Sequence, residues 1–157
     1  MTNPYLTIDP FLTSFVKAHG AGKPAAVVSR IEYLDALLRR CLEEQDDEVQ
    51  CVECRARLSI EKVFNSVNPF ATAMWLDRLL WALGYFVHSP WLRSDTVMQA
   101  EQWRFVKAIV ESVVQTPHFR EYYLTPDLAR QITMLRDHVR HGLQCTSQLR
   151  GPRAPER

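Results

Sequence analysis

Apolar residues recur every three or four positions along most of this chain, which is the spacing of one face of an α-helix. No segment shows the strict alternation of apolar and polar residues that marks a half-buried strand. Proline preceded by a residue that can cap a helix recurs, at Asp9-Pro10, Asn68-Pro69, Ser89-Pro90, Thr116-Pro117 and Thr125-Pro126. The pattern predicts an all-α fold, a compact single-domain bundle of about five to seven helices.

The same signals predict where the helices lie. They span about residues 10–19, 24–67 as one helix or two, 69–88, 95–115 and 126–141, with a short helical turn at 117–124. No Gly or Pro occurs from Ala25 through Asn68. A single helix over 24–67 would be roughly 65 Å long, which fits a compact domain of this size poorly. We therefore predict a break near Asp46-Asp47, where Asp47 and Gln50 resemble a capping box.

The segment over about 69–88 is apolar on nearly every side and predicts the central, buried helix of the bundle. Its leucines form one broad stripe, which can face the domain core. A second, separate stripe consists of Phe70, Met74, Trp81 and Tyr85. Because a small bundle cannot easily surround a helix, we predict that this stripe binds another chain, either a larger protein or a second copy. The alternative is that these side chains fill the core.

Composition narrows the class of protein without identifying it. The chain has 157 residues, of which 46% are hydrophobic and 24% charged, and its net charge is +1. We predict one helical domain at 1–146 and a flexible basic tail at 147–157. No apolar run approaches the roughly 20 residues of a membrane span, and the N-terminus lacks the features of a secretory signal. We therefore expect no membrane interaction and a cytoplasmic location.

The chain contains no Walker loop, GxGxxG motif, nucleophile elbow or HExxH motif. We therefore predict a non-enzymatic adaptor, regulator or inhibitor that docks an apolar and aromatic helix surface onto another protein. An alternative is a nucleic-acid-associated helical subunit in which Arg130, Arg136 and Arg140 contact phosphates. The near-neutral net charge provides no general attraction for a nucleic acid.

Cys51 and Cys54 have the spacing of a metal-binding or redox pair. The acidic residues around them are expected to raise the pKa of the thiols. Both cysteines lie opposite the apolar stripe of their helix, so we expect them to face solvent or another protein. His138 and His141 are spaced to ligate a metal from one helical face, and they would complete a zinc site if the two helices met. No cofactor is predicted; zinc binding or dithiol redox chemistry is the second alternative.

Overall fold

The structure is a computed structural model that describes residues 6–117, 119–149 and 151. These residues form eight α-helices: α1 Ile8–Gly20, α2 Ala25–Glu43, α3 Val52–Phe64, α4 Pro69–Ala73, α5 Leu76–Phe86, α6 Thr96–Val114, α7 Phe119–Tyr122 and α8 Pro126–Leu149. They pack into one compact domain with no strand in the described ranges, which confirms the predicted all-α class with one helix more than expected. Among the described helices, none has the length and apolar character needed to cross a bilayer.

Several helices begin where local signals predict. At the start of α6, the Asp95 carboxylate accepts a hydrogen bond of 2.8 Å from the Met98 N–H. At the start of α8, the Thr125 hydroxyl accepts a bond of 3.2 Å from the Leu128 N–H. Pro69 occupies the first turn of α4. The two caps satisfy N–H groups that the first turn of a helix leaves without a partner.

The predicted break between α2 and α3 is confirmed. The connection contains the 3₁₀ turn Asp46–Glu48 and the extended residue Val49, which is fully buried. The Val49 carbonyl accepts a hydrogen bond of 2.5 Å from Arg55 Nε. Because this buried anchor holds the chain extended, α3 is preceded by Cys51, and the predicted start at Asp47 is too early.

The predicted continuous helix over 69–88 is wrong, because the segment forms two helices. Met74 and Trp75 are extended and separate α4 from α5. The Ile8 N–H donates a hydrogen bond of 3.0 Å to the Met74 carbonyl, and Thr7 forms an isolated bridge with Trp75. The start of α1 therefore occupies backbone groups that a continuous helix would satisfy within itself.

A side chain from α2 caps the start of α4. The Glu43 carboxylate accepts hydrogen bonds from the N–H groups of Phe70 at 3.0 Å and Ala71 at 3.2 Å. Asn68, the residue that the sequence offers as the cap, makes no side-chain cap bond. Burial raises the pKa of Glu43, and the two N–H donors oppose that increase. A tertiary contact thus replaces the local cap.

Helix α8 is longer than predicted and continues through Gly142 to Leu149. Gly142 lies against the Trp103 indole of α6, and an added Cβ would come within 2.2 Å of Trp103 Cε2. The glycine therefore permits close approach of two helices and does not end one. Helix α8 includes the first three residues of the predicted tail, 147–149, whereas residues 150 and 152–157 lie outside the described residues.

Helix α5 is the centre of the domain and packs against α2, α6 and α8. Its buried residues are Leu76, Leu79, Leu80, Ala82, Leu83 and Phe86. The predicted leucine face is therefore in the core, on a helix that is shorter than expected.

Candidate docking surface and cysteine pair

The four residues predicted to form one partner-binding stripe do not share a surface. Phe70 and Met74 are only 1% and 2% exposed, whereas Trp81 and Tyr85 are 39% and 47% exposed. The extended residues between α4 and α5 remove the helical register that would place all four side chains in line. Phe70 and Met74 belong to the hydrophobic core, and the expectation that they line an uncovered stripe is wrong.

Trp81 and Tyr85 border a shallow cavity of about 240 Å³ between α5 and α8. The exposed Met134 also lines it, as do His88 and His138, whose ring centroids are 5.3 Å apart. This surface is partly apolar but is interrupted by polar rings. Whether Trp81 and Tyr85 bind a partner stays a prediction.

Among the described residues, most of the strongly exposed large apolar side chains lie on α3 or just beyond it. We call Val52, Ala56, Ile60, Val63 and Phe64 the α3 outer face; its four large members are between 61% and 83% exposed, and Val67 beyond the helix is 84% exposed. Within α3, only Cys54 and Leu58 are buried. The predicted orientation of this helix is therefore reversed, because the apolar stripe faces solvent and Cys54 faces the core.

Two arginines hold α3 in this orientation. Arg57 donates a hydrogen bond of 3.3 Å to the Ala73 carbonyl, and its guanidinium lies 4.8 Å from the centre of a Trp75 ring. Arg55, in the first turn of α3, donates a hydrogen bond to the carbonyl of Val49, just before the helix begins. Cation–π and charge-assisted contacts of this kind depend on residues distant in sequence, so periodicity alone does not reveal them.

Each arginine predicted to contact phosphate has a carboxylate partner in the chain. Arg136 forms two hydrogen bonds with Glu111, of 2.8 and 3.0 Å. Arg140 binds Asp137 at 2.5 Å, and Arg130 binds Asp127. A phosphate would have to compete with these carboxylates, although exposed ion pairs are individually weak. Nucleic-acid binding through these three arginines stays a prediction.

The proposed Cys₂His₂ zinc site is not assembled. Cys51 and Cys54 lie on α3, while His138 and His141 lie on α8. Across the described ranges, no group of three or more His, Cys, Asp and Glu side chains is placed to hold a metal ion. His141 instead approaches Cys145, with 3.6 Å between Nε2 and Sγ.

The two cysteines of the CxxC pair differ in environment. Cys51 is the exposed N-cap residue of α3, and Cys54 is buried one turn later. The backbone N–H of Cys54, followed by its thiol, lowers the pKa of Cys51, because both stabilise the thiolate. Burial raises the pKa of Cys54. For Cys51 the expectation that acidic neighbours raise the pKa is wrong, since the helix N-terminus has the larger influence.

Compared with known proteins, the chain matches no family model, no curated protein sequence and no solved structure. Function is therefore inferred from the exposed surfaces and the side-chain chemistry of the chain itself. The two features that sequence reasoning placed wrongly, the α3 outer face and the orientation of Cys54, are the ones with functional interest.

Proposed function

We propose that this chain is a non-enzymatic docking protein, an adaptor, regulator or inhibitor, and that it binds through the α3 outer face. The observation that supports this proposal is the exposure of Val52, Ile60, Val63 and Phe64 on one side of a single helix. Contiguous apolar patches of more than a few hundred Å² are uncommon on monomeric proteins and mark interaction sites. An apolar stripe on a helix is suited to pack against another helix.

The occupant that best suits this face is a second copy of the chain. Four of the five apolar positions are symmetric in sequence about Leu58, so an antiparallel pair of α3 helices would place Val52 opposite Phe64 and Ala56 opposite Ile60, while Val63 would lie opposite Glu53. A small residue opposite a large one lets two helices approach closely. Such a two-fold contact also buries the same patch on both copies.

Sedimentation velocity over a range of protein concentrations tests the proposal. We expect the wild type to form dimers and the variant Ile60→Ser with Val63→Ser to remain monomeric. The matched control is Trp81→Ser with Tyr85→Ser, which removes exposed aromatic side chains from α5 and should still dimerise. Circular dichroism should show native helix content in both double variants.

Each remaining result has a defined meaning. Loss of dimers in the Trp81/Tyr85 variant alone would move the docking surface to α5. A wild type that stays monomeric would overturn the second copy as occupant. If the folded Ile60/Val63 variant dimerises as the wild type does, the α3 outer face is not the docking surface.

A further inference from the structure

The start of α3 brings two cysteine side chains together on one turn of helix. Cys51 is the N-cap residue, and Cys54 is the third residue of the helix. Side chains three positions apart on a helix are neighbours. A disulfide requires Cα atoms about 4.4–6.8 Å apart, a separation that one helical turn provides. The pair can therefore close into an internal disulfide without unfolding the helix.

Only one of the two sulfur atoms is open to an incoming reactant. Cys51 is exposed, whereas Cys54 is buried in the hydrophobic core. The backbone N–H and the thiol of Cys54, followed by the N–H of Glu53, lower the pKa of Cys51 and so favour its thiolate form. The position of the thiols thus separates an outer nucleophile from an inner thiol.

Two charged residues at the start of α5 act on the inner thiol. Burial, followed by the Cys51 thiol, raises the pKa of Cys54; Arg78 opposes this increase and Asp77 adds slightly to it. Asp77 Oδ1 and Arg78 Nε are themselves buried and have no hydrogen-bond partner among the described residues. Buried polar atoms are normally hydrogen-bonded, so these two unpartnered atoms are unusual.

We propose that Cys51 and Cys54 form a reactive dithiol that exchanges with disulfides, with Cys51 as the attacking sulfur and Cys54 as the resolving sulfur. This reactivity goes beyond the proposed docking and does not depend on it. On a helical wheel both cysteines lie on the side of α3 opposite the outer face, so a bound partner there would leave Cys51 accessible.

The exchange takes place in two balanced steps. The Cys51 thiolate attacks one sulfur of a disulfide, the S–S bond breaks, and the first thiolate of the reactant leaves and takes up a proton. Cys54 then loses its proton to solvent and attacks the Cys51 sulfur, and the second thiolate of the reactant leaves and takes up a proton. The protein dithiol loses two electrons to form the internal disulfide, and the reactant disulfide is reduced to two thiols.

Glutathione disulfide is the probe, and intact-mass spectrometry after acid quenching is the measurement. In wild-type protein at about pH 7, we expect the Cys51–Cys54 disulfide, which lowers the mass by two hydrogens. The variant Cys54→Ala should stop at the mixed disulfide on Cys51. Two cysteines of the same chain are internal controls, because Cys145 is exposed on α8 and Cys41 is fully buried with a pKa of about 12.

In Cys54→Ala, the mixed disulfide should form at Cys51 severalfold faster than at Cys145, and Cys41 should not react. The expected ratio is modest because a thiolate of lower pKa is also a weaker nucleophile. Equal rates at Cys51 and Cys145, or no internal disulfide in the wild type, would overturn the proposal. Circular dichroism of Cys54→Ala establishes that the variant is folded when it is compared.

Discussion

Helices α3 and α5 are of similar length, with 13 and 11 residues, and the sequence marks both as carrying an apolar stripe. The two helices differ in whether that stripe is buried. Helix α5 buries its leucines, while α3 leaves its aliphatic residues in solvent and buries only Cys54 and Leu58. A periodic pattern therefore shows that a helix has an apolar face, but it does not show whether the same chain covers that face.

The difference follows from the neighbours of each helix. Helix α5 lies among α2, α6 and α8, which cover it from several directions. Helix α3 packs chiefly on the short helix α4, which is only five residues long. The cover available to α3 is consequently narrow, and its apolar outer face stays exposed to solvent.

The strongest test of this comparison truncates one apolar side chain on each helix. Leu83→Ala on α5 should lower the free energy of unfolding by about 2–5 kcal/mol, because it leaves a cavity in a fully buried site. Ile60→Ala on α3 should change it by less than about 0.5 kcal/mol. Urea unfolding of dilute protein measures both, and similar losses would mean that α3 is covered after all.

A second test enlarges side chains at two other positions, one in a tight helix contact and one on the α3 outer face. Gly142→Ala should cost about 1–3 kcal/mol, because its methyl group would overlap the Trp103 ring against which α8 packs. Ala56→Leu adds three carbon atoms to the exposed α3 outer face and should be tolerated within about 0.5 kcal/mol. Thermal unfolding of the monomer distinguishes the two cases; equal tolerance would contradict the tight packing of α6 on α8.

A smaller effect on the free energy of unfolding is expected at the start of α4. Glu43→Ala should cost about 1 kcal/mol, because the N–H groups of Phe70 and Ala71 lose their acceptor at the start of α4. Glu44→Ala changes the neighbouring exposed carboxylate and should have little effect. If both variants unfold at the same urea concentration, Glu43 does not hold α4 in place.

The smallest effect concerns a buried acidic residue at the second position of α5. Burial raises the pKa of Asp77, so folding favours its protonated form, and its contribution to stability decreases as pH rises through the folded-state pKa. Asp77→Asn should therefore stabilise the protein near pH 7, by less than about 1 kcal/mol, and this gain should disappear near pH 3.

The corresponding residue at the second position of α3 is Glu53, which is exposed and serves as the matched control. Unfolding free energies of Asp77→Asn and Glu53→Gln would be measured across the same pH range. If Asp77→Asn raises the free energy of unfolding equally near pH 3 and near pH 7, the pKa of Asp77 is not raised by folding.

Part of the candidate site could be predicted from residue spacing and part could not. The spacing of Cys51 and Cys54 is visible in the sequence, but the burial of Cys54 depends on which side of α3 faces α4. The aromatic pair Trp81 and Tyr85 is exposed as expected, whereas Phe70 is covered because the chain turns at Met74. The orientation of α3 has no local signal, because Arg57 contacts Ala73 and Trp75, which are distant in sequence.

The sequence by itself determined the all-α class and the beginnings of helices such as α6 and α8. These depend on bonds within one turn, as between Asp95 and Met98, and a local pattern contains all that they require. Tertiary structure decided the break at Met74 and the exposure of Ile60. Those features depend on whether a distant segment supplies a hydrogen bond, as Ile8 does for Met74, or packs over an apolar face. The spacing of residues along one helix gives no information about such distant segments.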